Sequence, residues 1–311
     1  MTAAPMSRLK ANGLLLLAAL IWGSAFVGQV QGMAGVGPLS FTSLRFVLGA
    51  LVVAPLAWRE WHGLRAAGQP PGRAHAAWIA LLGSLLCIGV VMQQIGLMST
   101  SVTNAGFLTA LYVPLVPLLA WLFQRQVPHW TVWVAVPGCL AGTWLLTGAG
   151  ALASLSAGDA WVLASALPWS VHVLLVGQVA NRLRGAYLLA CGQFVVCALI
   201  SGVMALVTEP ISAEGLRIAA GAIAYTGILS VGVGFTLQVV GQRHAPPADA
   251  AIILSSETLF AALFGAVLMG DRLTSGGLAG CAMILGGILL VQALPLLKSR
   301  ASIAPAHLPT P

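Results

Sequence analysis

Glu257 is the one acidic side chain deep inside an apolar stretch of this chain, and Arg45 is its basic counterpart. A carboxylate in such a place can exchange a proton or hold a cationic group, and a guanidinium can receive a carboxylate or another anion. His172, three residues past Trp169, is a candidate proton relay or a donor of one hydrogen bond. The amides Gln93, Gln94, Gln238 and Gln242 can line a cavity or bond between helices, where such bonds contribute roughly 0.6–2 kcal/mol. Tyr112, Trp22 and Trp169 offer a hydroxyl and two indoles to a pathway, or simply fill the core. None of these sets makes a catalytic centre. Paired aspartates, a His-Glu-x-x-His zinc site and serine with histidine on facing helices are all missing, so no catalytic residue is expected. Nor is a metal or cofactor site. The five cysteines, all within apolar segments, lack ligand spacing and read as small buried hydrophobes.

The elements that position these groups are ten apolar segments, at 12–31, 38–58, 76–97, 103–123, 129–148, 159–179, 186–207, 217–240, 249–269 and 273–295. Each is about 20 residues, the length of helix that crosses a ~30 Å hydrocarbon core. Glu257, eight residues past Asp249, lies roughly 12 Å into its helix and near the midplane; Arg45, seven past Pro38, lies roughly 10 Å in. Either charge facing lipid costs roughly 2.5–3.5 kcal/mol on insertion scales, so both are expected to face the bundle. They serve transport there, or they pair with each other or with backbone and hold the bundle together. Asn104 and Asp249 read as N-caps, and Ser255 and Ser256 as bonding back onto their own helix. Pro114, Pro117 and Pro168 are expected to bend their helices.

The segments form two copies. Trp22 recurs as Trp169, Arg45 falls opposite Gln193, and Gly89, Gln93 and Gly96 map onto Gly234, Gln238 and Gly241 at offsets of 145 to 148. Tyr112 takes the place equivalent to Glu257. Five segments per copy force the second copy to enter from the opposite side. The expected fold is therefore an all-α polytopic membrane protein of ten transmembrane helices in two inverted five-helix repeats, 12–148 and 159–295. A cytoplasmic N-tail (1–11), an external connector (149–158) and a disordered cytoplasmic C-tail (296–311) complete the chain. Eleven Lys and Arg fall on the side of the termini, two on the other, and Arg45 within a span. The positive-inside rule then places both termini in the cytoplasm. Gly138 with Gly142 and Gly276 with Gly280 offer flat faces for packing, within the bundle or across a homodimer.

Composition agrees. Only 7% of the 311 residues are charged and 59% are hydrophobic, against about 25% charged in soluble domains. Membrane lipid is the expected surrounding, and the net charge of +7 needs no nucleic-acid partner. Inverted repeats with a site between them are a common construction of secondary transporters. A passive facilitator or channel is the alternative, and a membrane-embedded enzyme a more distant one.

Trp22-Gly23-Ser24, Arg45-Phe46, Gly158-Asp159 with Trp169, Gln238 with Gln242, Ala250 through Glu257 and Leu268 through Leu273 together resemble the EamA family of the drug/metabolite transporter superfamily, over residues 14–291. Two departures are Thr258, where the family has proline after the glutamate, and Asp271 in place of glutamate. The first removes an expected kink. The resemblance implies movement of a small-molecule substrate across the inner membrane by alternating access through a central cavity, often outward, without fixing the substrate. Export of amino acids or related metabolites is the expectation, with protons a candidate coupling ion through Glu257. Trp22, Arg45, Gln93, Tyr112, Trp169, Gln238 and Glu257 are the cavity candidates, and Glu257 and His172 the proton-coupling candidates.

Overall fold

The computed structural model describes residues 6–100, 102–147, 156–264, 267 and 274–301, with the side chains of 103, 104, 146, 147 and 292–301 set aside. Among the described residues no strand occurs. The helices are α1 (Arg8–Gly32), α2 (Pro38–Ala66), α3 (Arg73–Gly96), α4 (Val102–Ala110), α5 (Tyr112–Gln124), α6 (Trp130–Thr147), α7 (Ala157–Leu183), α8 (Ala186–Thr208) and α9 (Ala213–Tyr225). A π-helical stretch, Thr226–Phe235, leads to α10 (Thr236–Gln242), and α11 (Pro247–Leu254), α12 (Glu257–Phe264) and α13 (Ser275–Ala301) follow. Backbone polar groups in lipid must be satisfied within their own segment, which is why apolar chain of this length is helical. Eight continuous or nearly continuous helical runs are long and apolar enough to cross a membrane. The shorter apolar helices Trp130–Leu145 and Ser275–Val291 complete ten spans. Side chains sort inside out relative to a soluble protein: Leu206, Val207 and Leu289 are exposed, while Arg45, His172, Gln193, Gln238 and Glu257 are buried.

Helix ends differ from expectation in places. α2 runs eight residues beyond 58, to Ala66, and α13 continues into the segment expected as tail, to Ala301. Residues 149–155, 271–273 and 302–311 lie outside the described residues, as does the side chain of Asn104. Asp249 is not an N-cap: Pro246 and Pro247 start α11 earlier and put Asp249 in its first turn, where its carboxylate pairs with Arg8. α7 passes through Pro168 as one helix.

Three spans are interrupted. The fourth breaks at Leu111, between α4 and α5. Proline clashes with the carbonyl four residues back and cannot donate to it, and for Pro114 that residue is Ala110. The ninth breaks at Ser255–Ser256 without proline. There the hydroxyls of Ser255, Ser256 and Thr258 donate to the carbonyls of Ile252, Ile253 and Ser255 at 2.7, 2.6 and 2.9 Å. The backbone N–H groups of Ser256 and Thr258 meanwhile bond only three residues back. Hydroxyls that compete for carbonyls in this way bend helices, so Thr258 does not leave the span straight. The eighth span carries the π stretch, rich in glycine.

The packing has the symmetry of the repeat. α2 lies along its own counterpart α8, and α6 along α13. Both pairs run antiparallel, since a Cβ on Gly142 would meet Gly280 while one on Gly287 would meet Cys139. The inversion expected from five spans per copy is thus present, and Gly142 and Gly280 pack on each other within the chain, whereas a Cβ on Gly138 would meet nothing within 4 Å. At the two ends of the α2–α8 pair the same device recurs. The Glu209 carboxylate accepts the Leu39 and Ser40 N–H groups at the start of α2, both at 2.8 Å. The Glu60 carboxylate accepts those of Ala186 and Leu188 at the start of α8, at 3.0 and 2.7 Å. The repeats interlock rather than lie side by side. α1 packs mainly on α9 to α12, and α7 mainly on α3, α4 and α5.

Candidate functional site

Where α1 and α7 cross the opposite repeat lies a narrow cavity of about 50 Å³. Trp22, Arg45, Gln93, Tyr112, Trp169, Gln238 and Glu257 all line it, so the structure brings the seven cavity candidates together. The lining also includes Phe26, Gln29, Val90, Thr109, Val173, Ser230, Phe235 and Leu254. His172 is not in it. The ring of His172 is fully buried, with Nε2 donating to Gln193 Oε1 at 2.8 Å and the edge of Trp169 beside it. The structure therefore holds the second proton-coupling candidate apart from the first.

The helix breaks place two of the lining residues, Tyr112 and Glu257. Tyr112 opens α5 and Glu257 opens α12, each directly after an interruption. Discontinuous membrane helices of this kind present half-helix ends to the site they surround. Gly23 sets how near α1 comes to that end. A Cβ there would lie 2.6 Å from Phe260 Cβ, 2.7 Å from the Glu257 carbonyl oxygen and 2.8 Å from the Ala261 nitrogen.

Trp22 and Trp169 are seated by glycines of the opposite repeat. A Cβ on Gly234 would meet the Trp22 indole nitrogen at 2.7 Å, and one on Gly89 would meet the Trp169 indole at 3.2 Å. Both indoles flank Phe235. Trp169 stacks on it (centroids 5.9 Å, planes 4° apart) and Trp22 tilts against it at 4.7 Å. The equivalence ends at the ring nitrogens. Trp22 Nε1 donates to the Ser230 carbonyl at 3.2 Å, whereas Trp169 Nε1 has no partner among the described residues. The π stretch accounts for the difference: Ser230 belongs to it, and its repeat equivalent is Leu85 of the regular helix α3. π geometry in a span commonly marks a functional position.

Among the described residues the two charges are unpaired. Arg45 is 2% exposed, its guanidinium carbon 5.5 and 5.4 Å from the ring centroids of Phe41 and Phe46, and its Nε meets no partner. Glu257 is 6% exposed, and no group among the described residues bonds its carboxylate. The ion pairs among the described residues join Arg8 to Asp249 and Arg217 to Glu214, so Arg45 and Glu257 do not neutralise each other.

A wider cavity of about 480 Å³ opens at the face where α1 begins, lined by Arg8, Gln126, His129, Thr131 and Asp249 among others. Along α11, Asp249 faces this vestibule and Leu254 faces the narrow cavity. The residues between them, Ala250 to Ile253, are wholly buried.

Ten spans in two inverted halves, around a mid-membrane cavity with lone charges, define a multi-pass membrane protein built as secondary transporters are. The EamA-like transporter family model matches residues 9–148 and again 156–293, once per repeat. The chain belongs to the EamA-like transporter family. It is 27% identical over 289 residues to an uncharacterized transporter of Archaeoglobus fulgidus, covering 92% of this chain and 87% of that one. To the uncharacterized transporter YwfM of Bacillus subtilis it is 23% identical over 312 residues, covering 93% and 96%. A solved crystal structure superposes with TM-score 0.72 over 93% of this chain and 99% of its own, at 20% identity, a likeness of fold.

Proposed function

We propose that the protein carries small zwitterionic metabolites, amino acids or close relatives, out across the inner membrane by alternating access. The observation that carries this reading is that Arg45 and Glu257 line one cavity and neither has an ionic partner among the described residues. A buried charge without a partner is strongly unfavourable, and a solute bearing a carboxylate and an ammonium group supplies both partners at once. The aromatic wall of Trp22, Phe235 and Trp169 receives the apolar part. With about 50 Å³, the cavity has room for a few waters, so solute enters as the wall moves. Eleven Lys and Arg on the side of the termini against two opposite support a cytoplasmic location for both ends. The vestibule beside Arg8 and Asp249 is then the cytoplasmic approach, separated from the cavity by the aliphatic turn of α11. Glu257 is the group through which a proton gradient acts.

The test is flux of radiolabelled amino acids in proteoliposomes, beside the matching decarboxylated amine and deaminated acid, with and without a pH gradient. Wild type is expected to move the amino acid and to discriminate against both analogues. Glu257→Gln and Arg45→Gln each lower that flux by about tenfold or more, and Glu257→Gln also loses the response to the gradient. Equal flux of all three compounds refutes the zwitterion reading. Flux that ignores pH in wild type and Glu257→Gln alike makes the protein a facilitator.

A further inference from the structure

At one position of the cavity the repeats are unequal. Gln93 and Gln238 are equivalent, 145 residues apart, and both line the cavity. In the first repeat the Gln93 amide donates to the Thr109 hydroxyl at 2.8 Å. The position equivalent to Thr109 is Leu254, also in the lining, and leucine cannot accept. Gln238, 1% exposed, has neither its amide nitrogen nor its amide oxygen bonded among the described residues.

Polar groups buried this deeply are ordinarily bonded, and removing a partner leaves the desolvation penalty uncompensated. An unbonded amide in a cavity wall is one of the few placed polar groups that give a mostly apolar site its specificity. Gln238 lies three residues past Phe235, on the same side of its span, and shares the cavity lining with that ring. It offers one donor group and one acceptor, which a hydroxyl or a carboxamide satisfies together and an aliphatic group satisfies not at all.

We propose that Gln238 determines specificity by bonding the solute's side chain, favouring zwitterions that carry a hydroxyl or carboxamide over aliphatic ones of the same shape. This rests on the reading in which Arg45 and Glu257 take the two charged groups. Gln94 is a built-in control. It too is fully buried with both amide atoms unbonded, but it lies outside the lining.

The experiment is dual-label flux in proteoliposomes, threonine against valine and asparagine against leucine, for wild type, Gln238→Leu, Leu254→Thr and Gln94→Leu. Wild type is expected to favour the polar member of each pair by about tenfold or more. Gln238→Leu removes the preference while valine flux persists. Leu254→Thr recreates the Gln–Thr bond of the first repeat and weakens the preference with the amide still present. Gln94→Leu leaves the preference intact. A ratio unchanged by Gln238→Leu overturns the proposal, while the zwitterion reading stands as long as flux still needs Arg45 and Glu257. No flux of any of the four rejects that reading and this selectivity with it. Thermal unfolding of the purified protein gives an answer independent of substrate. Freed of an unbonded amide, Gln238→Leu and Leu254→Thr each raise the midpoint by about 2 °C or more. A lower midpoint for Gln238→Leu means the amide is bonded within the fold, and refutes its role toward solute.

Discussion

Replacing Gly23 by alanine adds one methyl group at the closest crossing of α1 and the helix that begins with Glu257. That Cβ would lie 2.6 Å from Phe260 Cβ, 2.7 Å from the Glu257 carbonyl oxygen and 2.8 Å from the Ala261 nitrogen. Carbon atoms rest at about 3.5–4.0 Å, so the helices must part by about 1 Å. Two of the three obstructing atoms are backbone, which no change of rotamer can move aside. Overpacking of this kind costs about 1–3 kcal/mol. Gly13, on the same helix, has nothing within 4 Å of an added Cβ, so Gly13→Ala keeps only the gain in helix propensity, about 1 kcal/mol. Both variants share that gain, and the difference between them isolates the clash. Gly23→Ala is expected to unfold about 2–12 °C below Gly13→Ala in detergent, taking about 2–4 °C per kcal/mol. Flux should fall by about tenfold or more, since small misplacements of an acting group carry large losses. Equal midpoints and equal flux for the two variants would refute the contact and the reasoning built on it.

The carboxylate clamps and the buried histidine are open to the same treatment. Glu60→Ala and Glu209→Ala should each lower stability by about 1–2 kcal/mol, with the glutamine variants between alanine and wild type because an amide oxygen still accepts; unchanged unfolding midpoints for both alanine variants would rule the clamps out. His172→Asn is expected to leave the pH dependence of flux where it is, because the ring bonds Gln193 and lies outside the cavity lining; a displaced pH profile would restore His172 as a proton carrier.

Much of the architecture is legible because lipid restricts what a chain can do. An apolar run of 20 residues has one stable conformation there, and a charge within it has one direction to face, so ten spans and the convergence of Arg45, Glu257 and the repeat-related indoles follow from residue type and depth. Phe235 was not legible, since an apolar ring among apolar residues carries no signal, although it stands between both indoles. Glu60 and Glu209 carry no signal along the chain, since only the longer α2 and the antiparallel α8 bring each to a helix start. The break before Glu257 was missed for lack of a proline, when the three hydroxyls of Ser255, Ser256 and Thr258 had the same effect. The pairing of His172 with Gln193 joins residues of two helices, which spacing along one chain cannot show.

The interlocking of the repeats bears on how the protein is made. α1 leaves the ribosome about 200 residues ahead of its main neighbours, which begin at Ala213. At 5–20 residues per second that is an interval of roughly 10–40 s. Throughout it α1 sits in the bilayer without its neighbours, with Asn12, Gln29 and the glycine face of Gly23 turned to lipid. α7, by contrast, meets α3, α4 and α5 already in place. Two halves of like design thus mature in opposite orders, and the bundle closes only when α1 is met by α9 to α12.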